Sequence, residues 1–130
     1  MIQAKVYVID DEFETLAFME QVITEAGHQV ETFTDGNKAV EQMQTRPPDM
    51  VFLDLQMPSI NGFQVLKAIR QVRRLDKVPV VLLSALSAVT GSEYCPETLE
   101  ARYGVRPDAF VSKPVLPEAV DEQLQMFIRA

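Results

Sequence analysis

Apolar residues along this 130-residue chain fall into short runs that alternate with stretches of helical spacing. Lys5-Val6-Tyr7-Val8-Ile9 is a short β-rich run. From Phe13 to Ala26 the apolar positions Phe13, Leu16, Ala17, Val22 and Ile23 come close to a helical period, and Gly27 is placed to stop that helix. Gln29 to Thr34 reads as a second strand carrying Val30 and Phe33. Asp35 can cap a helix that runs to about Thr45 and buries Ala39, Val40 and Met43, and Pro47-Pro48 breaks it. Met50-Val51-Phe52-Leu53 is a wholly apolar third strand. A turn over Ser59-Ile60-Asn61-Gly62 leads into a helix from Phe63 to Arg73, with Val65, Leu66, Ile69 and Val72 facing inward. The basic pair Arg73-Arg74 suits the end of that helix, where cations meet the negative end of the dipole. Val78 to Leu83 is the fourth strand, with Pro79 near its start, where a missing N–H is tolerable. Ala109-Phe110-Val111 is the fifth, and Pro117 to Arg129 the last helix, burying Val120, Leu124, Phe127 and Ile128.

Five apolar strands alternating with helices predict a parallel sheet covered on both faces. With right-handed crossovers the result is a doubly wound α/β fold, a three-layer sandwich with strand order 2-1-3-4-5. Ligands in such folds collect beyond the carboxyl ends of the strands.

Composition narrows the classes. The chain is of single-domain size, and 47% of its residues are hydrophobic, enough for a real core. No apolar run approaches a membrane span and the first residues lack a signal pattern, so a soluble, cytoplasmic protein is expected. A net charge of −7 argues against unspecific attraction to nucleic acid or to an anionic membrane. The single cysteine, Cys95, can make no internal disulfide and belongs to no zinc motif. The single histidine, His28, reads as a surface turn residue after Gly27.

The residues just past the strands are Asp10-Asp11-Glu12 after the first, Asp54 after the third, Ser84-Ala85 after the fourth and Lys113-Pro114 after the fifth. Each alone has a plain explanation. Asp10 or Asp11 can cap the following helix, Asp54 can serve a turn before Pro58, Ser84 can bond its own backbone and Lys113 can be a solvated charge. Together they form a set. Carboxylates brought together from separate strands repel, and their pKa values rise unless a cation compensates. An all-oxygen acidic cluster suits Mg2+ (or Mn2+), which binds through one or two carboxylates plus phosphate. A carboxylate nucleophile beside a metal and an ammonium is equipped to accept a phosphoryl group. Asp54, on the central strand, is the natural nucleophile.

At this point the chain resembles the receiver domains of two-component response regulators along nearly its whole length. The resemblance is carried by Val8-Ile9-Asp10-Asp11-Glu12, by Leu53-Asp54-Leu55-Gln56-Met57-Pro58 leading to Gly62, by Leu83-Ser84-Ala85 and by Phe110-Val111-Ser112-Lys113-Pro114. It implies one receiver domain over residues 1–130. Asp54 is then the phosphorylated residue. Asp11, Asp54 and the carbonyl of Gln56 are implied as direct metal ligands, with Asp10 acting mostly through water. Ser84, the amide of Ala85 and Lys113 are implied to bind the phosphoryl group. Phe110 is implied to turn inward as Ser84 moves. The Lys113–Pro114 bond is expected to be cis, which would aim the lysine. Output would use the fourth helix, the fifth strand and the fifth helix. The implied partners are a histidine kinase or histidine phosphotransfer protein and a downstream protein target or attached output domain, and a phosphorylation-dependent dimer is a further option. Neither nucleic acid nor membrane is contacted directly, and no enzymatic activity is expected beyond the domain's own phosphorylation and dephosphorylation.

One departure stands out. About 28 residues separate Ser84 from Lys113, several more than the family usually has. Residues 86–106 read either as a tolerated surface insertion, since added loop length costs little, or as an altered partner surface, with a helix near Pro96 to Tyr103. Leu86, two residues after Ser84, would hinder a hydrolytic water and lengthen the phosphorylated lifetime. Two other classes compete. One is a receiver-like interaction module that is never phosphorylated. The other is an enzyme, either an aspartate-nucleophile phosphohydrolase, which usually has a second carboxylate where Gln56 stands, or a flavin carrier, whose phosphate loop would not be acidic.

Overall fold

A computed structural model of the chain describes residues 3–55, 62–84 and 104–128. Its elements follow the expected alternation: β1 Lys5–Ile9, α1 Phe13–Glu25, β2 Gln29–Phe33, α2 Gly36–Thr45, β3 Met50–Asp54, α3 Gly62–Gln71, a 3-10 turn Arg73–Leu75, β4 Val80–Ser84, β5 Ala109–Ser112 and α4 Pro117–Phe127. The strands form one parallel sheet in the order β2-β1-β3-β4-β5. The turn at Ser59 to Asn61, the helix expected near Pro96 to Tyr103, Gln56, Ala85, Leu86 and Cys95 all lie outside the described residues.

Alternation along each strand divides the core in two. Tyr7, Ile9, Val51, Leu53, Val80 and Leu82 face α2 and α3, meeting Met43, Leu66 and Ile69. Val6, Val8, Met50, Phe52, Val81 and Leu83 face α1 and α4, meeting Met19, Ile23, Val120 and Leu124. The central strands β3 and β4 are buried at every position, as continuous apolar runs require, whereas the edge strands β2 and β5 are only partly covered.

Several local expectations hold for the stated physical reasons. Asp35 caps α2 by accepting the Asn37 amide at 2.9 Å. Gly27 stands just past α1 at φ 95°, a conformation that favours glycine, and its amide closes on the Thr24 carbonyl.

Others are corrected. Phe13 is 78% exposed and Ala17 is also exposed, because the inward stripe of α1 is Leu16, Met19 and Ile23. The fourth strand begins at Val80, after Pro79 rather than at Val78. α3 ends at Gln71, so Arg73 and Arg74 lie on the 3-10 turn, and Arg74 donates to the Gln44 carbonyl of α2. His28 is more than a turn residue: its Nδ1 accepts the Ala4 amide at 3.0 Å and ties down the start of β1. Buried Tyr7 caps α2 from below, donating its hydroxyl to the Arg46 carbonyl at 2.5 Å. Its burial raises the phenol pKa above the ordinary value, with Glu31 adding to the effect.

Candidate phosphoacceptor site

The strand register brings the chemistry-bearing residues to one edge. Ile9 pairs with Leu53, Asp54 with Leu83 and Ser84 with Ser112, so Asp10, Asp54, Ser84 and Lys113 stand within a residue or so of a common row. The side chains of Asp10, Asp11 and Asp54 converge there, each offering a carboxylate oxygen within 4.8 Å of the others. Asp10 is 0%, Asp54 3% and Ser84 1% exposed. Lys113 reaches across from β5: its Nζ is 2.9 Å from Asp10 Oδ2, 2.9 Å from Glu12 Oε1 and 3.5 Å from Asp54 Oδ1.

Backbone contacts hold these side chains in place. The Asp10 amide donates to the Phe33 carbonyl of β2 at 3.0 Å, and the Lys113 amide to the Ser84 carbonyl at 3.1 Å. The Leu55 amide donates to Leu83 O at 2.9 Å, which extends the β3–β4 pairing past Asp54. Gly62, the first residue of α3, packs directly on this strand end. A Cβ there would lie 2.5 Å from the Asp54 carbonyl oxygen and 2.7 Å from Leu55 Cα, both backbone atoms that cannot swing aside. The absence of a side chain at position 62 therefore sets how close α3 comes to Asp54. The Lys113–Pro114 bond is cis, as expected.

The capping alternative for the acidic pair applies in part. Asp10 Oδ1 accepts the Glu12 amide at 2.9 Å, but α1 begins at Phe13 with Glu12 as its N-cap residue. The other oxygen, Asp10 Oδ2, is buried and receives no hydrogen bond of acceptable angle, although the ammonium lies 2.9 Å away. Burial raises the Asp10 pKa above its ordinary value, only partly offset by the Glu12 amide and Lys113. Burial alone would lower the Lys113 pKa, but Asp10, Glu12 and Asp54 outweigh it and hold the lysine above its ordinary value. Among the described residues, the site thus sets a surplus of negative charge against one fixed cation. An underused buried carboxylate oxygen and an all-oxygen donor set are what a hard divalent ion requires, so the residues fit Mg2+.

Phe110 is half-buried and pairs in register with Leu82, one pleat repeat back from the Ser84–Ser112 pair. It packs with the α2–α3 side of the core, on the same sheet face as Ser84. Of the predicted site residues, Asp10, Asp11, Asp54 and Lys113 are brought together, Ser84 borders them, and Phe110 lies behind Ser84. Gln56 and Ala85 lie outside the described residues. The sequence assigns Glu12 no role of its own and marks Gly62 as a turn residue and part of the family motif, without its contact with Asp54. Glu12 could have been flagged by its place directly after the acidic pair, but nothing local announces its reach to Lys113, 101 residues away.

A parallel α/β fold with an acidic, lysine-bearing site at the carboxyl edge of its sheet is one class of molecule. The profile of the response regulator receiver domain family matches residues 6–125. The chain therefore belongs to that family, the phosphoacceptor switches of two-component signalling. It is 27% identical over 125 residues to the alkaline phosphatase synthesis transcriptional regulatory protein PhoP of Bacillus subtilis, a match covering 96% of this chain and 48% of PhoP. It is 29% identical over 126 residues to the transcriptional regulatory protein AfsQ1 of Streptomyces coelicolor, covering 94% of this chain and 50% of AfsQ1. The chain thus spans about half the length of these relatives. The structure of the chemotaxis protein CheY4 of Vibrio cholerae superimposes with a TM-score of 0.83 at 28% identity, covering 98% of this chain and 100% of CheY4. Among the described residues, no helix is long and apolar enough to cross a membrane.

Proposed function

We propose that Asp54 is the phosphoryl acceptor and that the donor is a phosphohistidine on a histidine kinase or phosphotransfer protein. The observation that carries this reading is the convergence of three aspartates with the Lys113 ammonium at the ends of separate strands. An oxygen of Asp54 attacks phosphorus, the new O–P bond forms as the N–P bond breaks, and the electron pair leaves with the imidazole nitrogen. Asp10, Asp11 and Asp54, with the Gln56 carbonyl, would hold Mg2+ or Mn2+. When bound, the ion supplies neutralisation of charge on the transferring oxygens.

Lys113 pairs with the phosphoryl group, and Ser84 and the Ala85 amide close on it from β4. As Ser84 moves, Phe110 takes the vacated space. A phenylalanine needs no buried hydrogen bond there, which distinguishes it from tyrosine. The change is read on the surface made by the expected fourth helix, which lies outside the described residues, β5 and the last helix α4, by a downstream protein or an attached output domain. Such coupling requires two states that differ in affinity for the phosphoryl group.

Incubation with a small phosphodonor and Mg2+ followed by intact-mass measurement tests the reading. A phosphoryl-sized gain that is absent in Asp54→Asn is expected. No gain in the unsubstituted chain would favour an interaction module that keeps the fold without the chemistry.

A further inference from the structure

Three carboxylates claim the single ammonium of Lys113. An ammonium has three N–H donors and no more. Its hydrogen bond of good geometry goes to Glu12 Oε1 at 2.9 Å. Asp10 Oδ2 is equally near but lies out of hydrogen-bond angle, and Asp54 Oδ1 is farther, at 3.5 Å. The resting lysine is thus aimed at Glu12 rather than at the residue proposed to carry the phosphoryl group.

The three acceptors differ in what it costs to release them. The Asp10 side chain is fully buried and that of Asp54 nearly so, so a lost cation leaves each as an uncompensated charge away from water. The Glu12 side chain is 62% exposed. Water can take the lysine's place there at little cost.

A phosphoryl group on Asp54 would bring about −1.5 to −2 charges and oxygens that need N–H donors. We propose that Glu12 is a positioning residue: the resting counter-ion that latches Lys113 and competes for it with a group on Asp54. This rests on the phosphoacceptor reading of the site. No covalent bond changes in the exchange. The Lys113–Glu12 hydrogen bond is replaced by Lys113–phosphoryl, and Glu12 is rehydrated in the open cleft that Glu14, Thr15 and Phe18 also line. Glu12 then sets how tightly the site holds a phosphoryl group, through its reach as well as its charge.

Beryllofluoride serves as the probe, titrated at saturating Mg2+ into the unsubstituted chain, Glu12→Gln, Glu12→Asp and Glu14→Gln, with uptake followed by amide NMR. Glu12→Gln removes the latch. Glu12→Asp keeps the charge but is one methylene too short to reach. Glu14→Gln removes an equal charge from the next residue but one. An exposed ion pair of this kind is worth little, so the half-saturating concentration should fall about three- to fivefold in both Glu12 variants and stay near its original value in Glu14→Gln. An unchanged Glu12→Gln, an unchanged Glu12→Asp, or an equal fall in Glu14→Gln overturns the latch. A second readout needs no phosphoryl mimic: the Lys113 ammonium 1H–15N signal should shift in both Glu12 variants only, and an unmoved signal also overturns the proposal. If the unsubstituted chain takes up no beryllofluoride, the phosphoacceptor reading itself fails and the release step falls with it. Normal uptake without a Glu12 effect sinks the latch alone.

Discussion

At the amino end of the sheet, Arg70 of α3 donates to the Val78 carbonyl at 2.6 Å and to Asp108 Oδ2 at 2.8 Å. Asp108 in turn accepts the Val80 amide at 2.8 Å, and its own amide donates to the Val80 carbonyl. Beside it, Asp49 and Lys5 exchange two hydrogen bonds. Arg70 meets one carboxylate there, that of Asp108, and its other donor reaches backbone carbonyls. At the carboxyl end, Asp10, Glu12 and Asp54 share Lys113, with Asp11 close to the other two aspartates, and among the described residues the buried Asp10 Oδ2 is left without a proper hydrogen bond. The first arrangement is complete in itself and joins β4 to β5. The second gains further stabilisation only when something positive arrives, or when a charge is added that the lysine can follow. An ion pair's role is therefore read from the balance of charge around it rather than from its presence.

Gly62 couples the site to the body of the fold, and substitution there should have the largest effect on the comparison. Gly62→Ala forces a Cβ against the Asp54 carbonyl and should cost about 2–3 kcal/mol in denaturant unfolding. It should also slow phosphorylation of the folded fraction, because the strand end that carries Asp54 must shift. Folded protein with unaltered phosphorylation would show that α3 does not fix the acceptor.

Arg70→Met breaks the amino-end clamp and should cost about 1–2 kcal/mol. Phosphorylation of the folded chain should not change. A loss of phosphorylation would show that the two ends are not independent.

Asp10→Asn should act in the opposite direction and by less. Because burial raises the Asp10 pKa, the stability favouring its neutral form is lost as pH rises through that raised value. At neutral pH, without divalent ions, the variant should therefore gain about 1 kcal/mol. The gain should shrink as pH falls toward the ordinary carboxylate value and the native residue takes up its proton. A gain that persists unchanged at low pH would mean that the charge is not its cause.

Much of this was legible in the sequence because two periodicities carry it. Continuous apolar runs marked β3 and β4, Gly27 and Asp35 marked helix ends, and the strand-end rule then located Asp10, Asp54 and Lys113. Phe13 misled because near-helical spacing does not by itself single out the buried stripe, which is Leu16, Met19 and Ile23. His28 and Arg74 were read locally, yet their partners, Ala4 and Gln44, lie across chain reversals. The Arg70–Asp108 clamp spans 38 residues and no motif announces it. Glu12 stood in plain sight, but only the coordinates give its distance to Lys113.

The most direct test is the unfolding temperature as a function of Mg2+ concentration, for the unsubstituted chain and for Asp10→Asn/Asp11→Asn. Binding to the folded state alone should raise the midpoint continuously with ion concentration in the first and leave the second flat. A flat response in the unsubstituted chain, or an equal rise in both, would contradict the account of the carboxyl-end carboxylates as a cation site.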